Sequence, residues 1–172
     1  MRDVTLDSPP DIGGRMPTPV SWIPDGGSQI SPYLVVRDGA RAIDFYKRAF
    51  GAKEVIRIDG PLNKVGHAEL KIGSANIMLT DEFPGMNAQS PEFYGGSPVM
   101  IHLYVEDVDA VTRRAVQAGA KIDKPVEDQF YGDRAGKLID PFGHLWWVST
   151  HKVDYSTEEL KKRGAEMMQP TG

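Results

Sequence analysis

The sequence predicts an α+β fold: two tandem βαβββ modules with a helix added at the C-terminus. Two observations predict it. First, the chain repeats itself. Tyr33-Leu34-Val35-Val36-Arg37-Asp38 leads into an amphipathic stretch that closes with Ala49-Phe50-Gly51-Ala52-Lys53, and His102-Leu103-Tyr104-Val105-Glu106-Asp107 leads likewise to Ala118-Gly119-Ala120-Lys121. Second, 172 residues with 40% hydrophobic side chains are the size of one domain with one core, so the two copies form one pseudo-symmetric unit.

The elements follow in order. In the first copy Ser31, Tyr33 and Val35 alternate with Pro32, Leu34 and Val36, the period of a strand. Asp38 precedes a helix whose apolar stripe is Ala42, Ile43, Phe45, Tyr46, Ala49 and Phe50, and Gly51 stands where a C-cap belongs. Strands at 53–59 and 65–72 are joined by a turn around Gly60-Pro61-Leu62-Asn63, and Gly73-Ser74 turns tightly into a third strand from Ala75 to Thr80. Residues 81–98 form a long loop rich in Pro and Gly. It carries Phe83, Met86, Phe93 and Tyr94, so it either joins the modules or lies over an apolar site.

The second copy repeats the order: a strand from Val99 to Val105, a helix from Val108 to Ala118 stopped by Gly119, and strands near 121–130, 131–139 and 144–150. A last helix starts after Ser156, which with Glu159 spells a capping box, and runs to about Met168. The chain therefore divides into a Pro/Gly-rich tail at 1–28 anchored by Trp22 and Ile23, a domain at 29–152 and a helical extension at 153–172.

Composition excludes several functions. A net charge of −4 makes no electrostatic case for nucleic acid or an anionic membrane. The absence of cysteine excludes disulfides, thiolate metal sites and a cysteine nucleophile. With no secretory signal and no spanning apolar run, the expected location is the cytoplasm.

Six motifs in order then carry a resemblance. They are Pro32-Tyr33-Leu34-Val35-Val36, Ala42-Ile43-Asp44-Phe45-Tyr46, Ala49-Phe50-Gly51-Ala52, His67-Ala68-Glu69-Leu70, His102 to Asp109, and Tyr131-Gly132-Asp133-Arg134-Ala135-Gly136 followed by Asp140 to Trp146. With them the chain resembles the vicinal oxygen chelate superfamily of glyoxalases, bleomycin- and fosfomycin-resistance proteins and extradiol dioxygenases, and within it the phosphonate-operon-protein-like branch. The resemblance implies that each module forms a curled mixed sheet and that two modules, from one chain or two, surround a concave cup with a divalent metal held by side chains from the first and last strand of each module. Those positions fall here on Ser31, Met78, Met100 and Trp147. None is a His or a carboxylate, and a Trp indole N–H has no lone pair to offer a metal. No cofactor is expected at these positions.

Strand parity tells what remains in the cup. Met100, His102 and Tyr104 share a face, as do Ser31 with Tyr33, Asn76 with Met78, and Trp147 with Ser149. Along 65–72 the apolar face is Ala68, Leu70 and Ile72, leaving His67, Glu69 and Lys71 for the concave side. The expected ligand-binding set is Tyr33, Met78, Met100, His102, Tyr104 and Trp147, a mostly apolar and aromatic lining with a few polar fixtures. His144 is read as structural, Asp140 as satisfying backbone N–H groups of the Asp140-Pro141-Phe142-Gly143 turn, and Arg134 as pairing with Asp133 or Asp140.

Three functions fit these residues. The first is binding of a small organic molecule without a metal. The second keeps a divalent metal on a displaced His67, Glu69 and His102 set and acts as a lyase, isomerase or dioxygenase. The third is a metal-free enzyme with His102 or Glu69 as general base. A homodimer is implied by the resemblance, because the superfamily often completes its cup between chains. The expected partners are thus a small molecule and a second copy, with no nucleic acid and no membrane.

Overall fold

A computed structural model describes residues 21–168. Residues 1–20 of the Pro/Gly-rich tail expected at 1–28 lie outside the described residues. The first module runs β1 (Tyr33–Val36), α1 (Gly39–Phe50), β2 (Lys53–Asp59), β3 (Val65–Ile72) and β4 (Ala75–Asp81). The second runs β5 (Met100–Tyr104), α2 (Val108–Ala118), β6 (Lys121–Asp128), β7 (Asp133–Ile139) and β8 (Leu145–His151), and α3 (Thr157–Met167) follows. Each module forms a four-stranded mixed sheet of the same order, β1-β4-β3-β2 and β5-β8-β7-β6, with one parallel pair and two antiparallel pairs. This is the α+β architecture of two tandem modules that the repeat predicts.

The helices begin and end as their sequences require. Asp38 and Asp107 are N-caps that accept from the Arg41 and Ala110 N–H groups, and Gly51 and Gly119 close the helices in the left-handed region at φ 69° and 117°. A second latch repeats at equivalent positions. The buried Asp81 carboxylate accepts from the N–H of Gly39 at 3.0 Å and of Val65 at 2.7 Å. In the other module the Thr150 hydroxyl accepts from the N–H of Val108 at 2.8 Å. Each β-layer therefore ends on the start of its own helix.

One core spans both modules. α1 and α2 pack against each other, and Trp146 of β8 lies against Phe50 and Tyr46 of α1 with ring centroids 4.6 and 5.6 Å apart. Asp140 ties this seam together. Its carboxylate accepts from the Tyr46 hydroxyl at 2.7 Å, the Trp146 indole N–H at 2.9 Å and the N–H groups of Phe142 and His144 at 2.9 Å. A buried carboxylate with four donors is fully satisfied, which is what its burial demands. Across the same seam the buried His144 Nε2–H donates to the carbonyl of Val35 at 3.1 Å. His144 is structural, and Asp140 serves its turn as expected while also joining the modules.

Three local expectations are corrected. Trp22 does not anchor the tail, for it is 79% exposed; the segment is instead tied where the Asn76 amide donates to the carbonyl of Gly26 at 2.6 Å. Arg134 pairs with neither Asp133 nor Asp140, because its position on β7 points to the helix side of the sheet. There it makes a two-point contact with Asp109 of α2 and reaches Asp128. Ser156 does cap α3 through the N–H of Glu159, but the Glu159 carboxylate turns to Arg163 one turn on rather than back to the cap.

Candidate functional site

The strand alternation read from the sequence holds in both sheets. On β3, Ala68, Leu70 and Ile72 are buried under α1 while His67, Glu69 and Lys71 are half-buried on the opposite face. On β5, Ile101 and Leu103 join the core while Met100 and Tyr104 are about half exposed. The register places Tyr33 beside Met78 and Met78 beside Glu69 in one sheet, and His102 beside Trp147 and Trp147 beside Lys137 in the other. Tyr33 and His102 thus hold equivalent places, as do Met78 and Trp147.

Each face carries its own hydrogen-bonded ring system. On the first sheet the Tyr33 hydroxyl lies 2.8 Å from His67 Nδ1, and His67 Nε2 lies 3.4 Å from the Glu69 carboxylate. Burial pushes the Tyr33 phenol up. On the second sheet His102 and Tyr104 stack with centroids 4.6 Å apart and planes at 23°, and His102 Nε2 lies 2.9 Å from the buried Ser149 hydroxyl. The Trp147 indole N–H donates to the Tyr131 hydroxyl at 3.0 Å. Rings held by such bonds present fixed faces at little further cost in side-chain entropy.

Beside these lies a cluster that the sequence reading missed. Asp133, buried at the start of β7, accepts from the Tyr104 hydroxyl at 3.0 Å and from His151 Nδ1–H at 2.7 Å, and His151 Nε2 lies 3.0 Å from Asp154. The hydrogen bond to Asp133, with that to Asp154 second, raises the His151 pKa; Tyr104's own hydrogen bond to Asp133, with burial second, raises that of Tyr104. The available signal was parity. His151 continues the Trp147 and Ser149 face of β8, and Asp133 pairs with His151 in register.

The four family metal positions do not suit a metal that needs oxygen and nitrogen ligands. Ser31 has its hydroxyl 2.9 Å from that of Ser28, Met78 and Met100 offer soft thioethers, and Trp147 is a hydrogen-bond donor engaged with Tyr131. The displaced set is not assembled either: His67 and Glu69 lie on one sheet and His102 on the other, as the family's ligands also do, but no group of three His, Asp or Glu that could hold a metal occurs among the described residues.

Two clefts at the junction of the modules take up three of the six expected ligand contacts, Tyr33 in one and His102 with Tyr104 in the other, while Met78, Met100 and Trp147 line neither. One of about 350 Å³ runs between β1 and β5 and is lined by Tyr33, Val35, Tyr94, Val99, Ile101 and His144 among others. The long loop supplies Gln89, Pro91, Tyr94 and Gly96 to Pro98 of its wall, while Phe83, Met86 and Phe93 line neither cleft. The other, of about 570 Å³, takes His102 and Tyr104 together with the β3–β4 turn and Arg114.

Comparison with known proteins agrees with this architecture. Residues 29–148 match the family described as the glyoxalase/bleomycin resistance protein/dioxygenase superfamily. The uncharacterized protein Mb0911c of Mycobacterium bovis is 45% identical over 135 residues, covering 77% of this chain and 89% of that protein. Among solved structures, TioX from Micromonospora sp. ML1 is 28% identical with a TM-score of 0.57 and covers 73% of this chain and 99% of that one. The Arabidopsis thaliana product At5g48480 is 30% identical with a TM-score of 0.58, covering 71% and 98%. The fosfomycin resistance protein FosX of Listeria monocytogenes, solved with Mn(II) and sulfate, is 21% identical with a TM-score of 0.56 over 80% of this chain and 97% of that one, and shares the fold. By family match and by relatives the chain belongs to the glyoxalase/bleomycin resistance protein/dioxygenase superfamily.

Proposed function

We propose that this protein binds a small, flat organic molecule against the aromatic strand faces, without a metal at the family positions. In this reading it is a cytoplasmic homodimer of the phosphonate-operon-protein-like branch. The observation that carries the proposal is Trp147. At the position where the superfamily has a metal ligand, an indole donates its N–H to Tyr131 and leaves its ring face for stacking. Tyr33, Met100 and Tyr104 add half-exposed apolar and aromatic surface on the same faces. Such a lining, with few polar fixtures, is the make-up of a small-molecule site rather than of a hydrolytic centre.

The test has two parts. Purified protein incubated with nickel, zinc, manganese or iron and freed of excess is expected to retain no near-stoichiometric metal by elemental mass spectrometry. A panel of planar aromatic compounds is expected to bind saturably, with Trp147→Ala weakening binding by about tenfold, the scale of one lost ring contact. Stoichiometric metal that disappears in His102→Ala or Glu69→Ala would overturn this reading in favour of the metal-dependent lyase, isomerase or dioxygenase.

A further inference from the structure

We propose that Tyr33, His67 and Glu69 form a proton relay that selects ligands bearing an acidic hydroxyl on an aromatic ring and binds them as the anion. The inference rests on the aromatic-ligand reading above and names the ligand class for its Tyr33 end, in the cleft between β1 and β5. The three residues stand in line on one sheet face. The Tyr33 hydroxyl is 2.8 Å from His67 Nδ1, and His67 Nε2 is 3.4 Å from Glu69 Oε1. The carboxylate accepts only, so it sets the tautomer: Nε2 carries the hydrogen and Nδ1 accepts from Tyr33. A proton acceptor oriented by a carboxylate and bonded to a hydroxyl is the arrangement by which a neutral side chain takes up a proton on demand.

Tyr33 also lines the cleft of about 350 Å³ between β1 and β5, whose wall includes Val35, Val99 and Ile101. An aromatic ring seated there meets apolar side chains on its faces and the Tyr33 phenol as a polar fixture. Burial holds the Tyr33 proton on its oxygen, so Tyr33 passes a proton on rather than resting ionised.

The step balances. The ligand O–H breaks and its proton bonds to the Tyr33 oxygen while the Tyr33 proton moves to His67 Nδ1, and the electron pair of the broken bond stays on the ligand oxygen. The product is a phenolate accepting from a neutral Tyr33, with His67 charged and facing Glu69. Other charges near His67 are few. Lys71 lies further along β3 and Lys53 lies opposite it on β2, while Arg57 and Asp59 of β2 pair with each other. Neighbouring positions on the same face of β1 and β4 carry Val35, Asn76, Met78 and Thr80, none of them charged.

The experiment titrates the full chain with 4-nitrophenol, whose anion has its own visible band, and with 4-nitroanisole, the same ring without the proton. Below the probe's own pKa, binding of nitrophenol is expected to generate the phenolate band. It is also expected to be about tenfold tighter than that of nitroanisole, the worth of one charge-assisted hydrogen bond. Nitrophenol affinity should fall at pH above the probe's pKa, because the phenolate then arrives without the proton that charges His67, while nitroanisole binding stays flat. Both His67→Gln and Tyr33→Phe should bind the two probes alike and abolish the band, with unchanged circular dichroism. Nitrophenol bound without its phenolate band, or a band that survives His67→Gln, would overturn the relay and leave aromatic binding standing. Binding of neither probe would overturn the aromatic site and the relay with it.

Discussion

At the scale of single residues, the second module places two histidines in opposite electrostatic settings. Burial, its leading influence, lowers the pKa of His144 at the seam, whereas the Asp133 hydrogen bond raises that of His151 at the edge of the second sheet. A raised folded value stabilises fully below the unfolded value of about 6.5 and loses that contribution as pH climbs through the folded value. A depressed one works the other way: the unfolded state takes up the proton first, so stability falls as pH drops below about 6.5. The two trends oppose each other between about pH 5 and about pH 8, the range in which histidines titrate. Removing His151 should therefore expose the His144 trend. In His151→Gln, melting temperature is expected to fall more steeply on acidification than in the wild type; parallel pH profiles would refute the assignment. None of this was legible in the sequence. The motif around Asp140 identified a turn, but not that its carboxylate would gather Tyr46 and Trp146 from two modules.

At the scale of elements, the sequence was most informative where period and caps agree. The bounds 53–59, 65–72 and 108–118 match β2, β3 and α2, because a glycine or N-cap aspartate borders these segments. What it did not show is how each last strand grips its helix. Gly39 exists for that contact: a Cβ there would sit 2.6 Å from Val65 Cβ and 2.9 Å from the Asp81 carboxylate. Gly39→Ala is expected to cost about 2 kcal/mol through overpacking and a displaced acceptor. Gly85→Ala, where an added Cβ meets nothing within 4 Å, should change stability by less than about 0.5 kcal/mol. Urea titrations of the two variants compare them directly, and equal midpoints would show that the latch carries no stability. The capping signal after Ser156 located α3, yet which partner Glu159 takes was decided by an arginine one helical turn away.

At the scale of the whole molecule, the helices and the helix-facing side of both sheets supply the shared core, while much of the opposite sheet surface stays open. Ile56, Ile58 and Ile122 are each about half exposed, and Tyr33, Met100 and Tyr104 with them. Such surface on strands suits a second copy better than bulk water. Sedimentation at working concentration is expected to give a dimer, and a monomeric profile would remove the proposal that the cup is completed between chains. Within the described residues, no helix is long and apolar enough to cross a membrane.

By itself the sequence determined the doubled βαβββ order and the faces of the strands, because repeat, period and turn chemistry are local properties of a chain. Tertiary structure alone decided which of those faces meet. It set Tyr33 against His67, joined Tyr104 and His151 through Asp133, put His67 and Glu69 on a different sheet from His102, and sent Arg134 to Asp109. Each of these contacts joins residues from different strands or elements, or depends on which face of a sheet a side chain takes. Register, sheet order and helix packing settle them, and none of these is written in any one segment.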